Sequence, residues 1–148
     1  MKTLLLSFLL LPVCLKAQPA LDGLWEGTMT VGGLYSDQAL PMQLYLTIRG
    51  QQVTGRSYVT LPNGNILRMD LQGYLYHDRS LALAEINFVG DSDNDVIPEF
   101  SRQYQIVYKP DLWDSTLKGF WQEMSTEHLG KDRRLGRIVL RKQKQERA

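Results

Sequence analysis

From residue 23 onward, hydrophobic and polar residues alternate with a period of two in eight short runs. That period places alternate side chains on opposite faces of a strand, one buried and one wet. Strand one is predicted over Leu24–Val31, with Trp25, Gly27, Met29 and Val31 on one face. Strand two sends Met42, Leu44, Leu46 and Ile48 one way, strand three Val53, Gly55, Ser57 and Val59, and strand four Leu67, Met69, Leu71, Gly73 and Leu75. Strand six (Gln103–Tyr108) aligns Tyr104, Ile106 and Tyr108, strand seven (Thr116–Met124) aligns Leu117, Gly119 and Trp121, and strand eight (Leu135–Arg141) is short and basic. Strand five (Leu81–Phe88) departs: Leu81 and Leu83 hold one phase, Ile86 and Phe88 the other. Either a bulge falls near Ala84-Glu85 or Glu85 points inward, and the plainer reading is a bulge with Glu85 facing water. No segment has a convincing 3.6-residue period.

The connections alternate in length. Residues 49–52, 77–80 and 109–114 form tight turns, whereas 32–41, 61–65, 89–101 and 125–134 are longer. Alternate connections of a meander lie at the same end, so the tight turns gather at one pole and the long loops at the other. Closure removes exposed sheet edges, and the inward glycines Gly27, Gly55, Gly73 and Gly119 let strands coil strongly. The expected fold is all-β: an eight-stranded antiparallel up-and-down barrel over residues 18–142, with a frayed basic tail at 143–148.

The first 17 residues change the cellular picture. Lys2, an apolar run from Leu4 to Val13 and the small Ala17 read as a secretory signal peptide. The run is about 10 residues, against the ~20 that a spanning helix needs. The predicted mature chain of 131 residues keeps no cysteine, since Cys14 leaves with the signal. A lipid-modified Cys14 is disfavoured because Val13, rather than a small residue, precedes it. The expected location is periplasmic or extracellular, without disulfides and without a transmembrane segment in the mature chain. Loss of Lys2 and Lys16 takes the formal charge from +1 to −1. Charge is polarised: residues 131–148 carry eight basic and two acidic residues, a net +6, and residues 18–130 carry −7. The basic segment suggests contact with anionic envelope lipid rather than nucleic acid.

Gly23-Leu24-Trp25-Glu26-Gly27, opening the first strand of an eight-stranded meander, resembles the lipocalins and the wider calycin group, which includes the fatty-acid-binding proteins and avidins. The resemblance implies that Trp25 plugs the closed end and that an arginine near the last strand, Arg137 or Arg141, stacks on it. It further implies binding of small, mostly apolar molecules. The long C-terminal helix and the disulfides common in secreted lipocalins are missing here. The same opening is similar to haem-binding nitrobindin barrels, but His128 is the only candidate iron ligand and its surroundings do not match, so no cofactor is expected.

Candidate ligand-binding residues are Trp25, Met29, Tyr35, Ser57, Met69, Glu85, Tyr104 and Trp121, on the inward faces or the loop-rich rim. An inward Glu85 would be a carboxyl with a raised pKa and, paired with Glu123, a candidate acid–base couple. Asp91, Asp93 and Asp95 alternate as in calcium loops, but Val96 and Arg102 stand where an EF-hand needs glycine and glutamate, so the segment reads as a solvated loop. His77 and His128 lack a third ligand at metal spacing. With no nucleophile elbow and no mature cysteine, the chain reads as a non-enzyme. The leading expectation is a secreted or periplasmic barrel that binds a small, mostly apolar ligand in its mouth. The alternative is a non-enzymatic envelope structural or protein-interaction module with a packed barrel.

Overall fold

The alternating runs become eight strands: β1 Gly23–Thr30, β2 Ala39–Arg49, β3 Gln52–Thr60, β4 Ile66–Leu75, β5 Ser80–Phe88, β6 Arg102–Lys109, β7 Thr116–Glu123 and β8 Leu135–Lys142. The computed structural model describes residues 20–90, 98–124 and 133–144. Each strand pairs antiparallel with its neighbour in sequence, and β8 returns to β1, with Trp25 opposite Lys142 and Met29 opposite Ile138. The sheet is a closed barrel without an edge strand. The predicted signal segment 1–17 with Cys14, the Asp91, Asp93 and Asp95 loop, His128, and residues 145–148 of the tail all lie outside the described residues.

Small residues permit the tight coiling that closure requires. A Cβ on Gly73 would strike the carbonyl oxygen of Ala82 on β5, and one on Gly119 that of Gln105 on β6. At one pole the chain reverses through three short turns. The turn between β2 and β3 places Gly50 at φ 63°, the left-handed conformation that glycine adopts at no steric cost. The connections that leave β1, β3, β5 and β7 all start from the opposite pole.

Inward side chains fill most of the interior. Met29, Met42, Leu44, Leu46, Met69, Leu71, Leu81, Ile106, Leu117 and Ile138 are all buried. Trp25 closes the tight-turn pole and is 0% exposed. Its indole Nε1 donates to the Leu21 carbonyl at 2.9 Å, and Tyr108 meets its ring edge-on at 5.9 Å. The cation over the indole is neither of the two expected arginines. Lys142 Nζ lies 4.9 Å from the ring centroid and donates to the Asp22 carbonyl. On β8 the inward phase runs Gly136, Ile138, Leu140 and Lys142, which turns Arg137 and Arg141 outward. Arg137 donates to the Ser36 carbonyl in the connection between β1 and β2, and Arg141 pairs with Asp114 at 2.8 Å. Removal from water lowers the Lys142 pKa, partly offset by the neighbouring Asp22 charge.

Candidate functional site

At the loop-rich pole the packed interior stops short of the rim and leaves a cavity of about 950 Å³. Its wall is built from strand ends and connections. Leu40 comes from the start of β2, Leu67 from β4, Trp121 from β7 and Leu135 from β8, while Leu61 and Phe100 come from the loops before β4 and β6. Trp121 Nε1 donates to the Thr30 carbonyl at 2.8 Å, which fixes the indole. Phe100 stacks parallel to it, with centroids 6.3 Å apart. Four charged residues also border the cavity: Glu99, Arg102, Arg133 and Arg134. Arg134 pairs with Glu99 at 2.9 Å and lies 4.8 Å from the Phe100 centroid, an exposed pair of modest worth.

Beneath this wall lies a polar cluster centred on Glu85. The β5 irregularity is a bulge, but it falls one residue beyond the expected position. Asp70 pairs with Asn87 and Leu71 with Glu85, so Ile86 is left without a partner on β4. The extra residue turns Ile86 out to solvent and returns Phe88 to the inner phase opposite Met69. Glu85 thus stays in phase with Leu81 and Leu83 and points inward at 3% exposure, rather than facing water.

The buried carboxylate is fully satisfied. Its Oε1 accepts from the Tyr104 hydroxyl, from Ser57 Oγ at 3.4 Å and from Arg102 Nη1 at 3.3 Å, and its Oε2 accepts from the Arg102 backbone N–H at 2.8 Å. Burial, reinforced by the nearby Glu85 charge, pushes the Tyr104 hydroxyl well above the usual tyrosine pKa. Tyr104 is therefore a donor here and not a base. Glu123, the expected acid–base partner, sits opposite Arg102 on β7 and accepts the Arg134 backbone N–H at 3.3 Å. No hydrogen bond joins Glu123 to Glu85 among the described residues.

Arg102 links the two layers. It is 8% exposed, is held from below by Glu85 and borders the cavity above. Its guanidinium carbon lies 5.1 Å from the Phe100 centroid and 5.5 Å from that of Trp121. Its Nε is buried without a hydrogen-bond partner. A buried donor left unpaired is costly, and an acceptor presented there removes the cost.

Of the eight ligand-binding candidates, Tyr35 and Trp121 border the cavity. Glu85, Ser57 and Tyr104 form the cluster beneath it, while Trp25, Met29 and Met69 are core residues sealed from it. Arg102 was not among the candidates. The signal for it was present: the inward phase of Tyr104, Ile106 and Tyr108, extended one step back, puts Arg102 beside Glu85. Among the described residues no cluster of three or more His, Cys, Asp and Glu is placed to hold a metal ion. Nor do the described residues contain a helix long and apolar enough to cross a membrane. No known protein family, curated protein or solved structure matches this chain.

Proposed function

We propose that this protein is an exported, non-enzymatic, lipocalin-like binding protein that holds a small, largely apolar molecule in the loop-end cavity, with an acceptor atom of that molecule seated at Arg102. The observation that carries this reading is the open cavity of about 950 Å³ with the unpartnered Arg102 Nε at its border. Sites for small molecules are concave, mostly apolar and oriented by a few fixed polar groups. The apolar wall supplies affinity at about 25 cal/mol per Å² of surface removed from water. Arg102 supplies direction, because Glu85 and the two aromatic rings fix its guanidinium before any ligand arrives.

Titration of the intact chain with the neutral apolar dye N-phenyl-1-naphthylamine tests the reading. Saturable fluorescence enhancement, abolished by Leu67→Arg in the cavity wall, is expected. A folded protein that leaves the dye dark, and that emerges from its own host with a clean apo mass, defeats it. That outcome favours the second reading, a structural or protein-interaction module. The solidly packed barrel beneath the cavity supports that alternative, since it confines any ligand to the rim.

A further inference from the structure

We propose that the turn between β6 and β7, at the pole opposite the cavity, anchors the barrel to an anionic lipid bilayer surface through Leu112 and Trp113. This rests on a different part of the molecule from the ligand reading and stands or falls separately. The two side chains are 93% and 80% exposed, next to each other at the tip. Single exposed apolar residues are ordinary, but a leucine and a tryptophan side by side on a pre-ordered tip are a different matter.

The turn is held from within. Asp111 Oδ1 accepts the N–H groups of Trp113 at 2.9 Å and Asp114 at 3.1 Å. Ser115 Oγ accepts the Asp111 N–H at 3.0 Å and donates to the Asp111 carbonyl at 2.9 Å. The backbone hydrogen bonds keep the Asp111 carboxyl below the usual aspartate pKa, so the brace persists at neutral pH. The turn therefore presents both apolar side chains outward without an ordering cost on contact.

The surrounding charge fits a negative surface. Lys144 Nζ lies 5.7 Å from the Trp113 ring centroid, and Lys109 stands exposed at the foot of the turn. The nearby acids are occupied: Asp111 braces the turn and Asp114 is paired with Arg141 at 2.8 Å. Indole beside lysine is the combination that sits at the headgroup level of a bilayer. Of the basic run, the described residues 133–144 are spread along the barrel by strand β8, with Arg133 and Arg134 at the cavity and Lys144 at this pole. A barrel held by the 110–115 turn keeps its cavity facing away from the lipid.

The chain has three tryptophans, and Trp25 and Trp121 are buried, so a fluorescence response to vesicles reports on Trp113. The intact protein is titrated with phosphatidylcholine vesicles, with and without a minority of phosphatidylglycerol. The expected result is a blue shift and protection from acrylamide that require phosphatidylglycerol and weaken as salt is raised. The double variant Leu112→Ser/Trp113→Ser, whose positions are too exposed to unfold the barrel, should sediment with these vesicles about tenfold less or worse. Lys144→Gln and Lys109→Gln together should weaken the preference for the anionic lipid. An emission spectrum that ignores both vesicle types overturns the proposal, as it would if the turn docks a protein instead. So does a double variant that sediments as well as the parent, because the contact then lies elsewhere.

Discussion

Trp25 and Trp121 are built from the same parts and do opposite things. Each indole N–H donates to a backbone carbonyl, each ring has an aromatic neighbour, and each faces a cation on an adjacent strand. Trp25 is capped by Leu21, Asp22 and Lys142 and becomes a plug. Trp121, though buried, borders empty space on the side toward the loops and becomes the wall of a cavity. The difference lies in the cations. Lys142 reaches only a carbonyl and the ring, at the wet margin of the barrel. Arg102 is tied to a buried carboxylate, and that carboxylate exists inside the barrel because a bulge delayed the phase change of β5 by one residue. A packed layer of Met29, Met42 and Met69 lies between these two ends, so they need not share a fate on mutation.

Truncating the two tryptophans separates them most strongly. Trp25→Ala should cost about 3–5 kcal/mol in urea unfolding, the range for a large buried ring. It should leave dye binding at the loop end unchanged wherever the protein is still folded. Trp121→Ala removes a ring that already borders empty space, so roughly 1–3 kcal/mol is expected, with loss of dye binding. Equal destabilisation by the two would mean that the cavity is filled by the surrounding loops.

The cations come next. Arg102→Met leaves Glu85 buried beside two hydroxyls without its ion pair, for which about 3–5 kcal/mol is expected. Lys142→Met should change stability by no more than about 1 kcal/mol, because the lost ring contact is offset by relief of a half-buried charge. Denaturant midpoints of the two variants against the parent decide this.

Alkaline titration gives a smaller contrast, opposite in sign. Tyr104 has a raised pKa when folded, so its contribution is complete below 10.0, where tyrosine in an unfolded chain begins to ionise, and is lost as pH rises beyond it. Lys142 has a lowered pKa when folded. Near and below 10.5 the unfolded chain binds its proton more readily, so stability rises with pH through that window. Tyr104→Phe should flatten the alkaline fall, and Lys142→Met should remove the preceding rise. Urea midpoints recorded across that pH range read both.

The smallest effect belongs to the tight-turn pole. Arg79 holds φ 67° in the turn between β4 and β5, a left-handed conformation that costs a side chain about 1 kcal/mol. Arg79→Gly should raise the melting temperature by a few degrees, equivalent to about 0.5–1 kcal/mol, and leave dye binding untouched.

The barrel could be read from the chain because eight alternating runs and the rhythm of its turns each demanded the same topology. Three features could not. The place of the bulge depends on which residue β4 leaves unpaired, and Ala84, Glu85 and Ile86 all allow it. The two inward-phased cations, Arg102 and Lys142, each lie one residue outside the predicted strand, before Gln103 and after Arg141. A long stem buried along the wall with its head at the margin defeats a rule that treats every charge as solvent-facing. The third feature is the depth of the cavity. Met29, Met69, Ser57 and Tyr104 point inward as expected, but alternation says only which way a side chain faces. Whether facing residues touch depends on how far the strands tilt.

The pairing of β1 with β8 has a consequence for how the molecule comes to exist. The two strands are the first and last of the barrel, separated by nearly the entire domain. Until β8 has been synthesised, β1 and β7 each present a bare row of amides and carbonyls, and no local contact substitutes for the missing seam. Joining segments so far apart along the chain makes this last step entropically slow. The same seam that leaves the finished protein without an edge thus makes its unfinished form an adhesive one, in need of protection until the circle is complete.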